Sequence, residues 1–372
     1  MITFHWFLPT SGDSREIVGG GHGAPPGTVS RRRDPTIAYL GQVAQAAEDL
    51  GFVGALTPTG SLCEDAWLST AMLCDRTERL KFLVAFRPGF YSPTLAAQMA
   101  ATFQRHSRGR LLINVVTGGE SAEQRSYGDF LDKEARYVRT DEFLSIVSDL
   151  WAGKRVDFKG VHLSVEDAAL AMPPDPVPLV YFGGSSPAAI RVAARHADVY
   201  LTWGEPPDQV AAKLEAVREQ ASTAGRKLRF GIRLHVITRD RSDQAWDHAD
   251  GLLQGLDPKR IAAAQAGLAT SESEGQRRMR ALHQGSVTNL EVAPNLWAGV
   301  GLVRGGAGTA LVGSHSEVAE RILEYQALGV DEFIMSGYPN LEEAYWFGEG
   351  VLPLLARVGA WKPPGAADSP PF

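Results

Sequence analysis

Eight short, nearly continuous apolar runs recur along the chain, each separated from the next by a longer amphipathic stretch. The runs are Phe4–Pro9, Val53–Thr59, Lys81–Arg87, Leu111–Gly118, Leu179–Gly183, Val199–Gly204, Phe230–Thr238 and Glu332–Pro339. Most end at or beside Gly, Pro, Thr or Ser. Runs of this length without polar alternation suit parallel strands covered on both faces. The intervening stretches carry helical spacing. Ile37, Leu40, Val43, Ala47 and Leu50 share one face, and Gly51 follows as a C-terminal cap. Phe143, Leu144, Val147, Leu150 and Trp151 repeat the pattern, as do Val318, Ile322 and Tyr325 before Gly329. Ser92-Pro93 and Ser186-Pro187 each read as an N-cap followed by the first helical residue. The expectation is an α/β chain folded as a (β/α)8 barrel with a long insertion between strands seven and eight. A doubly wound sheet is the alternative. It is disfavoured because no Gly-rich dinucleotide turn follows the first run.

The 372 residues are assigned to one domain, 1–356, with a Pro-rich tail, 357–372, expected to be disordered. Three segments break the β/α rhythm. Residues 11–35 hold a Gly cluster (Gly19, Gly20, Gly21, Gly23, Gly27), Pro25-Pro26 and Arg31-Arg32-Arg33, and read as a mobile loop after strand one. Residues 240–313 are far longer than an ordinary strand-to-helix connection. They contain polar helical stretches and then the Gly-rich run Val303–Thr309. Both segments emerge where barrel enzymes keep their chemistry, so both read as lids. The third is the tail.

Composition removes several function classes. A formal net charge of −6 argues against sequence-independent nucleic-acid binding, which needs a broad basic surface. Cys63 and Cys74 form neither a CxxC nor a disulfide framework, which fits a reducing compartment. No apolar run is long enough to span a bilayer, and the start Met1–Trp6 lacks a signal-peptide pattern. A soluble cytoplasmic protein is expected. The histidines are scattered without metal spacing, so no metal site is expected. No carboxylate pair, GxSxG elbow or Walker A loop stands out.

The strand ends gather Thr57, Thr59, Arg87, Asn114, Thr117, Ser185, Ser186, Trp203, Arg233, His235 and Tyr338. Tyr181–Pro187 is a strand, a glycine turn, an N-cap serine and a helix-opening proline. It is either an anion site at a helix N-terminus or a well-capped turn. Arg233 and His235 alternate on one strand face. Since an Arg under the helices would be costly, they point inward, either at an anion or into a structural ion pair. Asn114 and Thr117 either bond a heterocycle or satisfy backbone. Cys63 by itself reads as a small buried hydrophobe. Arg304, on the Gly-rich segment, either closes over an anion or is solvated.

These residues resemble the bacterial luciferase-like flavin monooxygenases, and within them the two-component alkanesulfonate monooxygenases. The resemblance runs from about residue 4 to about 356. It is carried by Trp6–Thr10, Pro58–Gly60, Cys63–Trp67, Arg79–Ala85, Asn114–Gly118, Tyr181–Ser186, Leu201–Pro207, Phe230–Val236, Asn295–Gly313 and Ser336–Pro339. It implies FMN, used as FMNH2 supplied by an NAD(P)H-dependent FMN reductase, with O2 as co-substrate. It implies cleavage of an organosulfonate to sulfite and an aldehyde, and a homo-oligomer. By motif position, Arg233, His235, Trp203, Tyr338 and Arg304 form the sulfonate site, with His235 as the proton shuttle. Asn114, Thr117, Tyr137, Gly184, Ser185 and Ser186 hold FMN, with Cys63 near the flavin. The chain departs from the family at Ser11, Ser61-Leu62 and Asn340, and in its longer 11–35 loop. These departures leave room for a related monooxygenase acting on dimethyl sulfone or another small substrate. A non-catalytic flavin- or anion-binding protein is the third reading.

Overall fold

The computed structural model describes residues 1–17 and 32–364. In chain order the strands are β1 (Thr3–Phe7), β2 (Gly54–Thr57), β3 (Lys81–Phe86), β4 (Leu111–Val115), β5 (Val156–Lys159), β6 (Ser164–Ala168), β7 (Val180–Gly183), β8 (Val199–Trp203), β9 (Arg229–Arg239), β10 (Glu291–Ala293), β11 (Leu296–Trp297), β12 (Ala310–Ser314) and β13 (Glu332–Ser336). Eight of them, β1, β2, β3, β4, β7, β8, β9 and β13, pair in parallel, and β13 returns to β1 to close the barrel. They coincide with the eight apolar runs, and the expected barrel is present.

Inward side chains fill the barrel: Phe7, Leu56, Leu83, Leu112, Tyr181, Val199, Leu201 and Ile334 form one buried cluster. Outward side chains and the helices make a larger one that includes Phe4, Trp6, Phe82, Phe182 and Phe333. The caps read from the sequence are formed. Ser92 accepts from the Leu95 amide (3.3 Å) and Ser186 from the Ala189 amide (3.3 Å), each just before a proline that opens its helix. Gly51, at φ +91°, ends the helix Ile37–Asp49.

The insertion is more ordered than a plain lid. Helices Ser242–Gln254, Pro258–Ala269 and Glu274–His283 lead into β10 and β11. These join β12, which pairs in parallel with the outer half of β9. β9 therefore serves two sheets: its first half is a barrel stave and its second half carries the insertion. The Gly-rich run is a tight turn. Gly301 N–H donates to Gly308 O (2.9 Å), and a Cβ on Gly308 would lie 2.8 Å from the Gly301 Cα. The antiparallel pair β5–β6 was not expected from the sequence, because it is mostly exposed and carries no apolar run.

The loop after β1 is tied at its base by reciprocal Asp13–Arg33 backbone bonds (3.0 and 2.7 Å). Its Gly cluster, Pro25-Pro26 and Arg31 lie outside the described residues. The tail assigned from residue 357 is corrected at its start. Ala360 and Trp361 are buried, and the Ile2 amide donates to Ala360 O (2.7 Å). Residues 365–372 lie outside the described residues. No helix among the described residues is long and apolar enough to cross a membrane.

Candidate active site

A cavity of about 250 Å³ opens at the C-terminal end of the barrel. Phe7, Leu56, Ala85, Leu201 and Ile334, inward residues near the C-terminal ends of their strands, make its apolar floor. Polar groups stand at the rim because each strand ends there. Asn114 and Thr117 lie at and just beyond the end of β4, and Trp203 ends β8. Gly183 ends β7, and Gly184, Ser185 and Ser186 follow it. Cys63 enters from the β2 loop. Arg304 to Ala307 and Ser273 to Gly275 of the insertion form the roof.

Gly184 to Ser186 run into the N-terminus of the helix Pro187–His196. Gly184 adopts φ +139°, and a Cβ there would sit 2.7 Å from the Ala189 Cβ, so glycine is required for this close approach. Tyr137 lines the same wall as Ser186, and burial raises its phenol pKa. The Tyr200 hydroxyl donates to Gly184 O (2.7 Å). The turn is braced by Tyr200 and presents a helix N-terminus and two hydroxyls, a donor set suited to a phosphate. Thr117 Oγ1 is buried with no hydrogen-bond partner. Such an orphan in a cavity wall suits a polar ligand.

Across the cavity, Arg233 and Arg304 flank Phe7, their guanidinium carbons 4.8 and 5.4 Å from the ring centroid. Neither forms an ion pair among the described residues. Arg233 instead donates to Leu234 O (2.6 Å) and Ser336 Oγ (2.8 Å). Burial, with the Arg304 charge, pushes its pKa down to about 9. A buried guanidinium held by neutral groups is short of one anion.

Two expected residues stand behind the cavity wall. His235 is buried, stacks on Tyr338 (5.3 Å, 20°) and does not line the cavity. Its Nε2 meets Ala307 O (3.1 Å), and its Nδ1 meets Ser336 Oγ (2.7 Å). A carbonyl only accepts, so Nε2 carries the proton and Nδ1 accepts from Ser336. Burial and the neighbouring Arg233 and Arg304 charges hold its pKa well below 6.5. The structure therefore does not bring the expected proton shuttle to the cavity: this imidazole is neutral, has both nitrogens engaged and is not among the lining residues. Tyr338 is likewise buried, and burial raises its pKa against the opposing charges of Arg304 and Arg233. Burial also raises the Cys63 thiol, which disfavours a thiolate nucleophile.

The departures from the family separate in space. Ser11 lines the cavity. Ser61 donates from its amide and hydroxyl to Glu123 Oε1 (2.9 and 3.3 Å), and Glu123 also pairs with the buried Arg87 (2.5 Å). Asn340 does not line the cavity. Its amide N–H and Nδ2 donate to Asp13 (2.8 and 3.2 Å), clamping the base of the loop after β1.

The sequence reading missed Phe7, Glu123, Lys133 and Lys213 as cavity residues, along with the insertion turn Ser273–Gly275. Lys213 carried a signal: a lysine set among Val210, Leu214 and Val217 on the buried face of its helix. It pairs with Glu205 (2.5 Å), which also holds Arg278 of the insertion (2.5 Å). On the opposite lip, Glu272 accepts from Ser121 (2.6 Å) and Arg136 (2.8 Å), and its carbonyl accepts from Lys133 (2.8 Å). Residues 272–278 thus strap across the mouth, fastened on both sides.

Among solved structures, the fold is similar to a riboflavin lyase, RcaE, with modified FMN and riboflavin (TM-score 0.80, 19% identity, covering 99% of this chain and 94% of that one). It is also similar to the long-chain alkane monooxygenase LadA (0.77, 18%, 97% and 92%). A third is the EDTA monooxygenase EmoA from Chelativorans sp. BNC1 (0.77, 18%, 99% and 96%). These likenesses establish the barrel with its insertion. The family profile described as luciferase-like monooxygenase matches residues 2–332, and with that span the chain belongs to the luciferase-like monooxygenase family.

Proposed function

We propose that this protein is a reduced-FMN-dependent monooxygenase that cleaves the C–S bond of a small organosulfonate to sulfite and an aldehyde. The observation that carries the reading is the Arg233–Arg304 pair, two guanidiniums turned on one cavity and ion-paired to no carboxylate among the described residues. Forked donors suit the three oxygens of a sulfonate, and a neutral substrate would leave their charge unanswered.

The residues also fit the cofactor that the family implies. The Gly184–Ser186 turn and its helix suit the FMN phosphate, Asn114 and the orphaned Thr117 hydroxyl suit the ring edge, and the floor is apolar. Bound reduced flavin supplies the electrons for dioxygen chemistry. The chain orients its two ligands from opposite walls, and Trp203 and the insertion turn shield them from water. Under this reading the reduced flavin comes from a separate NAD(P)H-dependent reductase.

Sulfite release tests the reading. Purified protein, FMN, NADH and a generic flavin reductase are assayed against methanesulfonate, medium-chain alkanesulfonates, taurine and a sulfosugar. Sulfite from one of them, dependent on the reductase, is the expected result. FMN binding without sulfite from any of them would reject the sulfonate reading and leave a sulfone or a sulfur-free substrate.

A further inference from the structure

The two arginines stand on different parts of the chain, Arg233 on a barrel strand and Arg304 on the insertion, yet act on one spot only if something fixes them to each other. Among the described residues no carboxylate does so. The connection runs through neutral groups. Ser336 ends β13, lies beside His235 in the strand register, and is buried. Its oxygen accepts from Arg233 Nη2 (2.8 Å), and its single proton goes to His235 Nδ1 (2.7 Å). That leaves His235 Nε2–H to donate to Ala307 O (3.1 Å), three residues beyond Arg304 in the tight turn.

We propose that Ser336 is a positioning residue for the anion site: its hydroxyl sets the fork of Arg233 and the tautomer of His235, and His235 anchors the turn that carries Arg304. The assignment rests on the anionic-substrate reading above. A hydroxyl suits this place because it accepts and donates at once without adding charge. An aspartate would also bind Arg233 but would occupy the charge meant for the substrate. Alanine would leave Arg233 held only by backbone carbonyls and His235 Nδ1 without its donor, so nothing would fix the imidazole in the tautomer that donates to Ala307.

The test uses the full-length protein and methanesulfonate as probe, titrated calorimetrically into wild type, Ser336→Ala, Ser336→Thr and Arg233→Ala. Thermal melting is recorded for each, and hydrogen exchange is measured over 300–310. Ser336→Ala is expected to bind about tenfold more weakly, the loss of one hydrogen bond to a charged group. Its 300–310 segment should exchange faster, and in turnover KM should rise more than kcat falls. Ser336→Thr, which keeps the hydroxyl, should recover most of the affinity. Wild-type affinity and exchange in Ser336→Ala, with Arg233→Ala impaired, would overturn this assignment alone. Equal binding by wild type and Arg233→Ala would overturn the anion reading and the assignment with it. A Ser336→Thr variant that melts like wild type but binds no better than Ser336→Ala would also count against the relay.

Discussion

Phe7 does at residue scale what a carboxylate would do in an ordinary arginine pair. Its ring faces two guanidiniums and steadies them by cation–π attraction, about 0.5–2 kcal/mol each, without cancelling their charge. Arg304→Ala should weaken methanesulfonate binding by roughly 2–3 kcal/mol. Arg304→Lys should recover only part of this, because the fork is lost while the charge stays. Titration calorimetry on the three proteins decides it, and unchanged affinity in the alanine variant would point to a neutral substrate. The depressed pKa of Arg233 adds a pH dependence. Anion binding needs the protonated guanidinium, so affinity should be level through neutral pH and fall as pH rises through about 9. Affinity that holds steady to pH 10 would mean that Arg233 stays charged throughout.

At the scale of elements, the turn before the helix Pro187–His196 serves both folding and ligand binding. Ser186→Ala should lower stability by about 1 kcal/mol through loss of the cap, and should also weaken FMN binding, read by fluorescence quenching. Loss of stability without loss of FMN affinity would make the turn merely structural. The strap is the second case. Glu272 is 39% exposed, but its partner Arg136 is 1% exposed and without the carboxylate would keep only carbonyl partners. Glu272→Ala should therefore lower the melting temperature by a few degrees and speed FMN release several-fold in stopped flow, since it also unfastens one lip. Much of this scale was legible in the sequence. Apolar runs located every barrel strand, and Ser-Pro pairs located two helix starts. β5–β6 was not legible because an exposed ribbon needs no apolar run. Asn114, Thr117, Trp203 and Arg233 were found because strand ends in a barrel converge. His235 was misplaced for a topological reason. β9 pairs with β8 only as far as Arg233 and with β12 from His235 onward, so two residues on one face look into different surroundings. Alternation along a strand shows which side a residue faces but not what another segment has laid over it.

For the whole molecule, the opposite end of the barrel holds a second polar device. Glu332 is buried between His5 (3.0 Å), Tyr181 (2.8 Å) and Arg229 (2.8 Å). Burial alone would raise its pKa, but the bonds from His5 and the charges of His5 and Arg229 outweigh it and hold the carboxyl below its usual range. The sign follows: this group stabilises the fold above its unfolded pKa near 4.5, and the contribution is lost as pH falls through its lower folded value. The wild-type melting temperature should therefore drop on acidification below about pH 4.5. Glu332→Gln should be less stable at neutral pH and show a shallower acid dependence; identical slopes in the two proteins would exclude Glu332 as the source. The doubled role of β9 bears on how relatives of this chain can exchange parts. Because β12 is hydrogen-bonded to residues 235–239, a chimera cut at residue 240 would ask a foreign β12 to zip onto a strand edge it never met. Junctions placed ahead of Arg229 and after Ser314 would move stave and flap together. The natural unit of recombination, and so of inherited substrate range, is the strand with its insertion rather than the insertion alone.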